Sequence, residues 1–180
     1  MHNELTDLTG KVKVNEGKVR NNEEKLQALE SRVLELSRYK RRWNLRLNNL
    51  AETEGEDVRG QVIDICQSMA PDHRQKFPEV IDSVHRLGKK NASQPFSRSI
   101  IIQFTMRHFR DLIWKAAKKS DYLTTRKLRF KEDLSPEDRA RRNQLWPCIE
   151  KARKDGIPAY FVGARAFIAG KEIKPVPGVG

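Results

Sequence analysis

The residues of this chain best fitted to chemistry are cations, and most fall in three groups. Arg86, Lys89, Lys90 and Arg98 flank or occupy a Gly/Lys/Asn-rich stretch; Lys115, Lys118, Lys119, Arg126, Lys127 and Arg129 follow; Arg139, Arg141 and Arg142 lie on a segment that begins as a helix. Guanidinium and ammonium groups contact phosphate oxygens, so a set this dense predicts binding to a polyanion that weakens steeply with salt and reads little sequence. Lys115, Lys118 and Lys119 taken singly read better as the solvated face of a helix. Arg141 and Arg142 say more, because two adjacent guanidiniums on a helix reach different phosphates. Arg41 and Arg42, and Arg165 in a C-terminal hairpin, complete the candidate cations.

The distribution of charge is more telling than its total. The 180 residues carry a formal net charge of +12. Residues 84–154 hold nineteen Lys/Arg against seven Asp/Glu, whereas residues 1–43 hold ten against seven and residues 51–83 three against eight. One block thus supplies an excess equal to that of the whole chain. Such a block favours a polyanionic partner, nucleic acid first and an acidic membrane surface second. With 33% of residues charged and a mean hydropathy of -0.75, a modest core and much surface are expected.

Rings for stacking on bases are fewer: Tyr122, Tyr160, Phe161 and Phe167 are the candidates, with packing in a core or hairpin as the favoured reading. No catalytic constellation accompanies them. The chain lacks GxxxxGK[ST], HExxH and GxSxG, and Glu132-Asp133 and Glu137-Asp138 read as loop and helix-start charges, so no enzymatic activity is expected. Cys66 and Cys148 have neither CxxC nor Cys/His spacing, which points away from zinc and from a disulfide framework and toward a reducing compartment. No apolar run approaches the roughly 20 residues that span a bilayer, so no membrane partner is expected.

The elements that must position these groups begin with a ladder in 3-4 alternation over residues 5–43: Leu5, Leu8, Val12, Asn15, Val19, Asn22, Leu26, Leu29, Val33, Leu36, Lys40 and Trp43. A heptad seam this long is buried only by the same seam on another helix, which predicts a coiled coil and an oligomer. With Leu5, Val12, Val19, Leu26 and Val33 at a, the pairs Lys11–Glu16, Lys18–Glu23 and Lys25–Glu30 fall at g and the following e, so the coil is parallel and in register. Gly10 and Gly17 fall at the exposed f position, where each costs about 1 kcal/mol of helix propensity without opening the seam. Asn15 and Asn22 fall at d, where an unpaired buried amide costs about 1–3 kcal/mol. Either these amides only set register, or a ring of them in a three-stranded core holds an anion such as chloride.

After Trp43 the period changes. Residues 44–50 alternate as a first strand, 51–57 form an acidic loop, and Val58, Val62, Ile65, Cys66 and Met69 mark a helix ending before Pro71. Residues 79–87 read as a second strand, 88–97 as a mobile basic loop, and 98–105, with Ile100, Ile101, Ile102 and Phe104, as a strong and central third strand. Phe109, Leu112, Ile113, Ala116 and Ala117 repeat at helical spacing, and 128–131 give a short last strand. The order βαββαβ is the split βαβ arrangement of RNA-recognition modules and of many unrelated proteins. Such modules carry aromatics on the first and third strands, where Leu45, Leu47, Ile100 and Ile102 stand here, so basic grooves rather than the sheet face are expected to hold nucleic acid. Ser135-Pro136 then opens a helix carrying Ala140, Leu145, Ile149 and Ala152, kinked at Pro147 and stopped at Gly156. A hairpin of 159–162 and 166–168 and a tail, 175–180, follow. The fold class is therefore α+β, divided into a coil at 1–43, an RNA-recognition-like domain at 44–132 and a small C-terminal α+β domain at 133–180.

Taken in order, the heptads, Arg41-Arg42-Trp43-Asn44-Leu45-Arg46, His85-Arg86, Ile100-Ile101-Ile102-Gln103-Phe104, and Leu134-Ser135 followed by Ala140-Arg141-Arg142 resemble the first-open-reading-frame protein of LINE-class, non-LTR retrotransposons, of a vertebrate non-mammalian type. The resemblance covers most of the chain. It implies a parallel homotrimer whose RNA-recognition module and C-terminal domain clasp single-stranded RNA, and DNA as well, coat the element's own RNA in cytoplasmic ribonucleoprotein particles, and chaperone annealing and strand exchange. Nuclear entry is left open. It further implies RNA contacts for Arg86, Arg129, Arg141 and Arg142, a chloride in the coil at Asn15 and Asn22, and a stacking position near Val162 that Tyr160 takes over or that is lost. A cellular RNA-binding regulator and a coiled-coil scaffold for protein partners are the alternatives.

Overall fold

The structure is a computed structural model that describes residues 2–90, 93 and 95–175 of the chain. Two compact units form, Met1–Tyr39 and Lys40–Gly180. The described residues of the first lie within one uninterrupted helix, α1 (His2–Arg41). Its heptad residues are all exposed in the single chain, Leu26 at 57% and Val33 at 66% among them. A Cβ added at Gly10 or Gly17 would meet nothing, in keeping with their outward position.

The second unit opens with strand β1 (Asn44–Asn48) and helix α2 (Val58–Met69), a 3-10 turn (Pro71–Lys76) and a helical turn, α3 (Phe77–Val80). Strands β2 (Ile81–Arg86) and β3 (Ile100–Phe104) follow, then helices α4 (Arg107–Ala117) and α5 (Asp121–Thr125) and strand β4 (Arg129–Glu132). The sheet order is β2-β3-β1-β4, with every neighbouring pair antiparallel, so β3 is central as its composition suggested. Leu45, Leu47, Ile100 and Ile102 are completely buried and pack with Phe104, Val62, Ile65, Cys66 and Ile113. Period-2 alternation then obliges Asn44, Arg46 and Asn48 to the opposite face.

Two local differences from the sequence reading have plain causes. The second strand starts at Ile81, two residues later than expected, because Phe77–Val80 form a helical turn with a proline near its start and bury Phe77 and Val80. Helix α5 was not anticipated: Ser120 Oγ accepts the Leu123 N–H at 3.2 Å and Leu123 is buried, a cap-and-anchor too short for periodicity to reveal.

Helix α6 (Pro136–Lys154) begins as expected, with Ser135 Oγ accepting the Asp138 N–H at 3.1 Å. It continues through Pro147 to Lys154 and ends where Gly156 takes a φ of +74°. Leu145, Ile149 and Ala152 are buried, whereas Ala140 is exposed, so the apolar face starts a turn later than the sequence suggested. Strands β5 (Ala159–Val162), β6 (Arg165–Ile168) and β7 (Lys171–Ile173) make a second antiparallel sheet in that order. The hairpin is as anticipated; the third strand, too short to show alternation, is an addition. Ala159 and Ala166 join the three α6 residues in a second core, which Phe161, Ile168 and Ile173 border. Of the expected C-terminal tail, residues 176–180 lie outside the described residues, as do Asn91, Ala92 and Gln94 of the basic loop.

Candidate nucleic-acid interface

Strand register decides which residues share the face of the large sheet turned away from its core. His85, Ile101, Arg46 and Lys131 make one cross-strand row, and Asn48 lies opposite Arg129. Neighbours in such a row stand about 5 Å apart. Leu45, Leu47, Ile100 and Ile102 belong to the other face, so they are core residues and not failed stacking positions. The strands nevertheless place no Phe, Tyr or Trp on the outward face among the described residues. What that face offers instead is Arg129 and Lys131, both exposed and, among the described residues, in no ion pair or side-chain hydrogen bond.

Arg86 and Arg98 do not lie with them; both are paired with glutamates of the acidic loop. The Arg86 side chain is 4% exposed; its guanidinium is paired with Glu56 and donates to the carbonyls of Leu50 at 3.1 Å, Ala51 at 2.9 Å and Arg98 at 2.9 Å. All five N–H donors of an arginine can be consumed in this way, leaving none for phosphate. Arg98 pairs with Glu52 and donates to the Gly88 carbonyl at 2.7 Å. The arginines hold the Glu52 and Glu56 carboxyls below the usual glutamate range, first through the Arg98 and Arg86 hydrogen bonds respectively. The acidic loop and the basic strand ends therefore neutralise one another, and the excess cations lie elsewhere.

A second network gathers where β4 ends. Asp133, buried directly after that strand, accepts from Arg41 Nη1 at 3.0 Å, Asn44 Nδ2 at 2.9 Å and Arg46 Nε at 2.8 Å. Arg42 lies over the Trp43 ring at 5.0 Å. Of the joint cations, Arg41 and Arg46 thus serve Asp133, a residue whose importance spacing could not reveal.

The C-terminal elements carry the most developed array. Arg142 donates to Glu132 Oε2 at 3.1 Å and to the Gly163 carbonyl at 3.4 Å, and lies 4.6 Å over the Phe161 ring, tying β4, α6 and the β5–β6 turn together. Phe161 also stacks on Trp146 at 6.1 Å. Arg141 is the freer of the adjacent pair, with Glu172 at 3.6 Å. On the outward face of the small sheet Tyr160 pairs with Phe167 across β5 and β6, and their rings stack at 5.5 Å with 15° between planes. Arg165 lies 5.1 Å over Phe167 and binds Glu172 at 2.7 Å. That bond comes first in holding the Glu172 carboxyl below its ordinary range and the Arg165 guanidinium above its own. Tyr160 is 45% exposed, so one surface offers a ring pair, two guanidiniums and a single carboxylate.

The remaining candidates are dispersed. Lys89, Lys90 and Lys119 are exposed, Lys118 lies 5.5 Å over Trp114, and Arg126 is paired with Tyr122. Arg139 is exposed on α6, two residues from Arg141 and so on a different side of the helix. Sequence reasoning missed Lys131 and Glu172; Lys131 was legible from alternation once β4 was phased, while Glu172 needed the third strand. Asn15 and Asn22 are exposed on α1; amide N–H groups suit an anion and not a cation, and one copy alone does not enclose it. Among the described residues no group of His, Cys, Asp and Glu could hold a metal ion, and no helix is long and apolar enough to cross a membrane. No protein-family model matches the chain, and no curated protein matches it either.

Proposed function

We propose that this protein binds single-stranded RNA, and single-stranded DNA, as a homotrimer, and that it packages and chaperones RNA in the manner of the first-open-reading-frame proteins of LINE-class retrotransposons. The observation that carries the reading is the outward face of the small sheet. A stacked pair of exposed Tyr160 and half-buried Phe167, beside Arg165 and Arg141, suits an unpaired base and its phosphate, since base–aromatic stacking tolerates any base. Arg129 and Lys131 on the large sheet add phosphate contacts, and the β2-β3-β1-β4 order with two helices on one face supports the RNA-recognition-like reading. The resemblance set out above supports the rest.

The exposed seam of α1 supports self-association, for which the charge pattern favours a parallel coil. In a trimer, three weakly binding units linked to one stalk raise the effective concentration of each for the same strand. Individual contacts stay exchangeable while the assembly stays bound, which is what annealing and strand exchange require.

The test is binding of a labelled, unstructured oligonucleotide across a salt series. Wild-type protein is expected to bind at low ionic strength, with affinity falling steeply as salt rises, and Tyr160→Ala with Phe167→Ala is expected to lose roughly tenfold at fixed salt. Absent binding, or binding indifferent to salt, would overturn the proposal.

A further inference from the structure

Glu172 is, among the described residues, the one acidic group set amid the exposed binding groups of the small sheet, and its surroundings differ from those of the other paired glutamates. It lies opposite Phe167 in the β6–β7 register and takes Arg165 at 2.7 Å and Arg141 at 3.6 Å. Its side chain is 26% exposed, and those of Arg165 and Arg141 are 58% and 33% exposed. The Arg165 guanidinium is thus open to water and to a phosphate, while Arg141 is half-buried, its Nε enclosed and its Nη2 toward Glu172. The Glu56–Arg86 pair is closed by comparison, its arginine also tied to three carbonyls.

We propose that Glu172 acts as an internal stand-in for phosphate. It holds Arg165 and Arg141 extended beside the ring pair, yields them to a backbone phosphate when a strand binds, and retakes them when the strand leaves. Carboxylate and phosphate both accept charge-assisted hydrogen bonds from guanidinium, so the exchange substitutes one acceptor for another. An exposed ion pair is weak enough to be displaced, yet each binding event must break it, so every nucleotide contact here is weaker and shorter-lived than the arginines alone would make it. Glu172 is thus a positioning and release residue. The idea rests on the nucleic-acid reading above and refines it, by assigning fast exchange to one side chain.

The experiment measures equilibrium binding and dissociation of a short single-stranded oligonucleotide by the full-length chain, with competitor added to start release. Glu172→Gln keeps shape and removes charge; it is expected to bind about threefold to tenfold more tightly and to release correspondingly more slowly. Glu172→Asp keeps the charge and is expected to stay within about twofold of wild type. Adding Arg141→Ala and Arg165→Ala to Glu172→Gln is expected to erase the gain. Should Glu172→Gln lose its thermal transition, Glu172→Thr, favourable on a strand, takes its place with the same expected gain. A folded neutral variant that binds no more tightly than wild type, or Glu172→Asp gaining as much as Glu172→Gln, would overturn the proposal. Wild-type protein that fails to bind at all would instead overturn the parent reading, so the two failures are distinguishable.

Discussion

Burial pushes the Cys66 thiol up to about 12, because a thiolate beneath the sheet would lose its hydration with no cation to replace it. Cys148 is exposed on α6. Alkylation of the native protein near neutral pH should therefore modify Cys148 within minutes and Cys66 only after denaturant, as peptide mapping would show; rapid labelling of Cys66 would contradict the packing of α2. Adjacent arginines differ by the same logic of surroundings. Arg142→Ala removes a contact among three elements and should lower thermal stability as well as binding. Arg141→Ala is expected to weaken binding and its salt dependence while leaving the melting temperature nearly unchanged, so only the latter reads the interface cleanly.

At the scale of elements, two polar ties hold what the cores do not. Asp133 is the shared acceptor of Arg41, Asn44 and Arg46, and its side chain is 2% exposed. Replacing it by Ala removes the acceptor shared by two half-buried guanidiniums and the Asn44 amide, a loss of about 1–3 kcal/mol, visible in denaturant unfolding. Asp133→Asn should recover part of this by accepting without charge. The second tie is pH-dependent. Because the folded-state pKa values of Glu52 and Glu56 are depressed, their contribution is present above the ordinary value of 4.5 and disappears as pH falls through the lower folded values. The melting temperature should drop on going from about pH 7 to about pH 3, and Arg86→Met should be less stable near neutrality with a shallower acid dependence.

For the whole molecule, the seam of α1 is the decisive surface. Leu8, Val12, Val19, Leu26, Leu29 and Val33 are each at least half exposed in one chain, which supports the proposed self-association. On the trimer reading, Leu26→Asp with Val33→Asp should reduce the solution mass to that of a single chain and weaken binding to long RNA far more than to a short oligonucleotide, since only long strands engage several units at once. Light scattering and two lengths of RNA measure both effects. Equal losses on short and long strands would place the function of α1 elsewhere.

Much was legible in the sequence wherever a signal is local or periodic. The heptads determined a long helix with one apolar stripe; the isoleucines of 100–102 determined a buried strand; Ser135-Pro136 determined the start of α6. Local chemistry suffices there because side-chain period and capping involve neighbours within a turn or two. What the tertiary structure alone decided was which charges remain available. Arg86 and Arg141 are equal as residues, but long-range pairing brings Glu56 and three carbonyls onto the first, 4% exposed, and only the Glu172 carboxylate at 3.6 Å onto the second, 33% exposed. Likewise Asp133 and Glu172 gain their partners from strands and helices elsewhere in the chain, through contacts that no spacing rule connects. Electrostatic availability is a property of the assembled surroundings, and only folding assembles them.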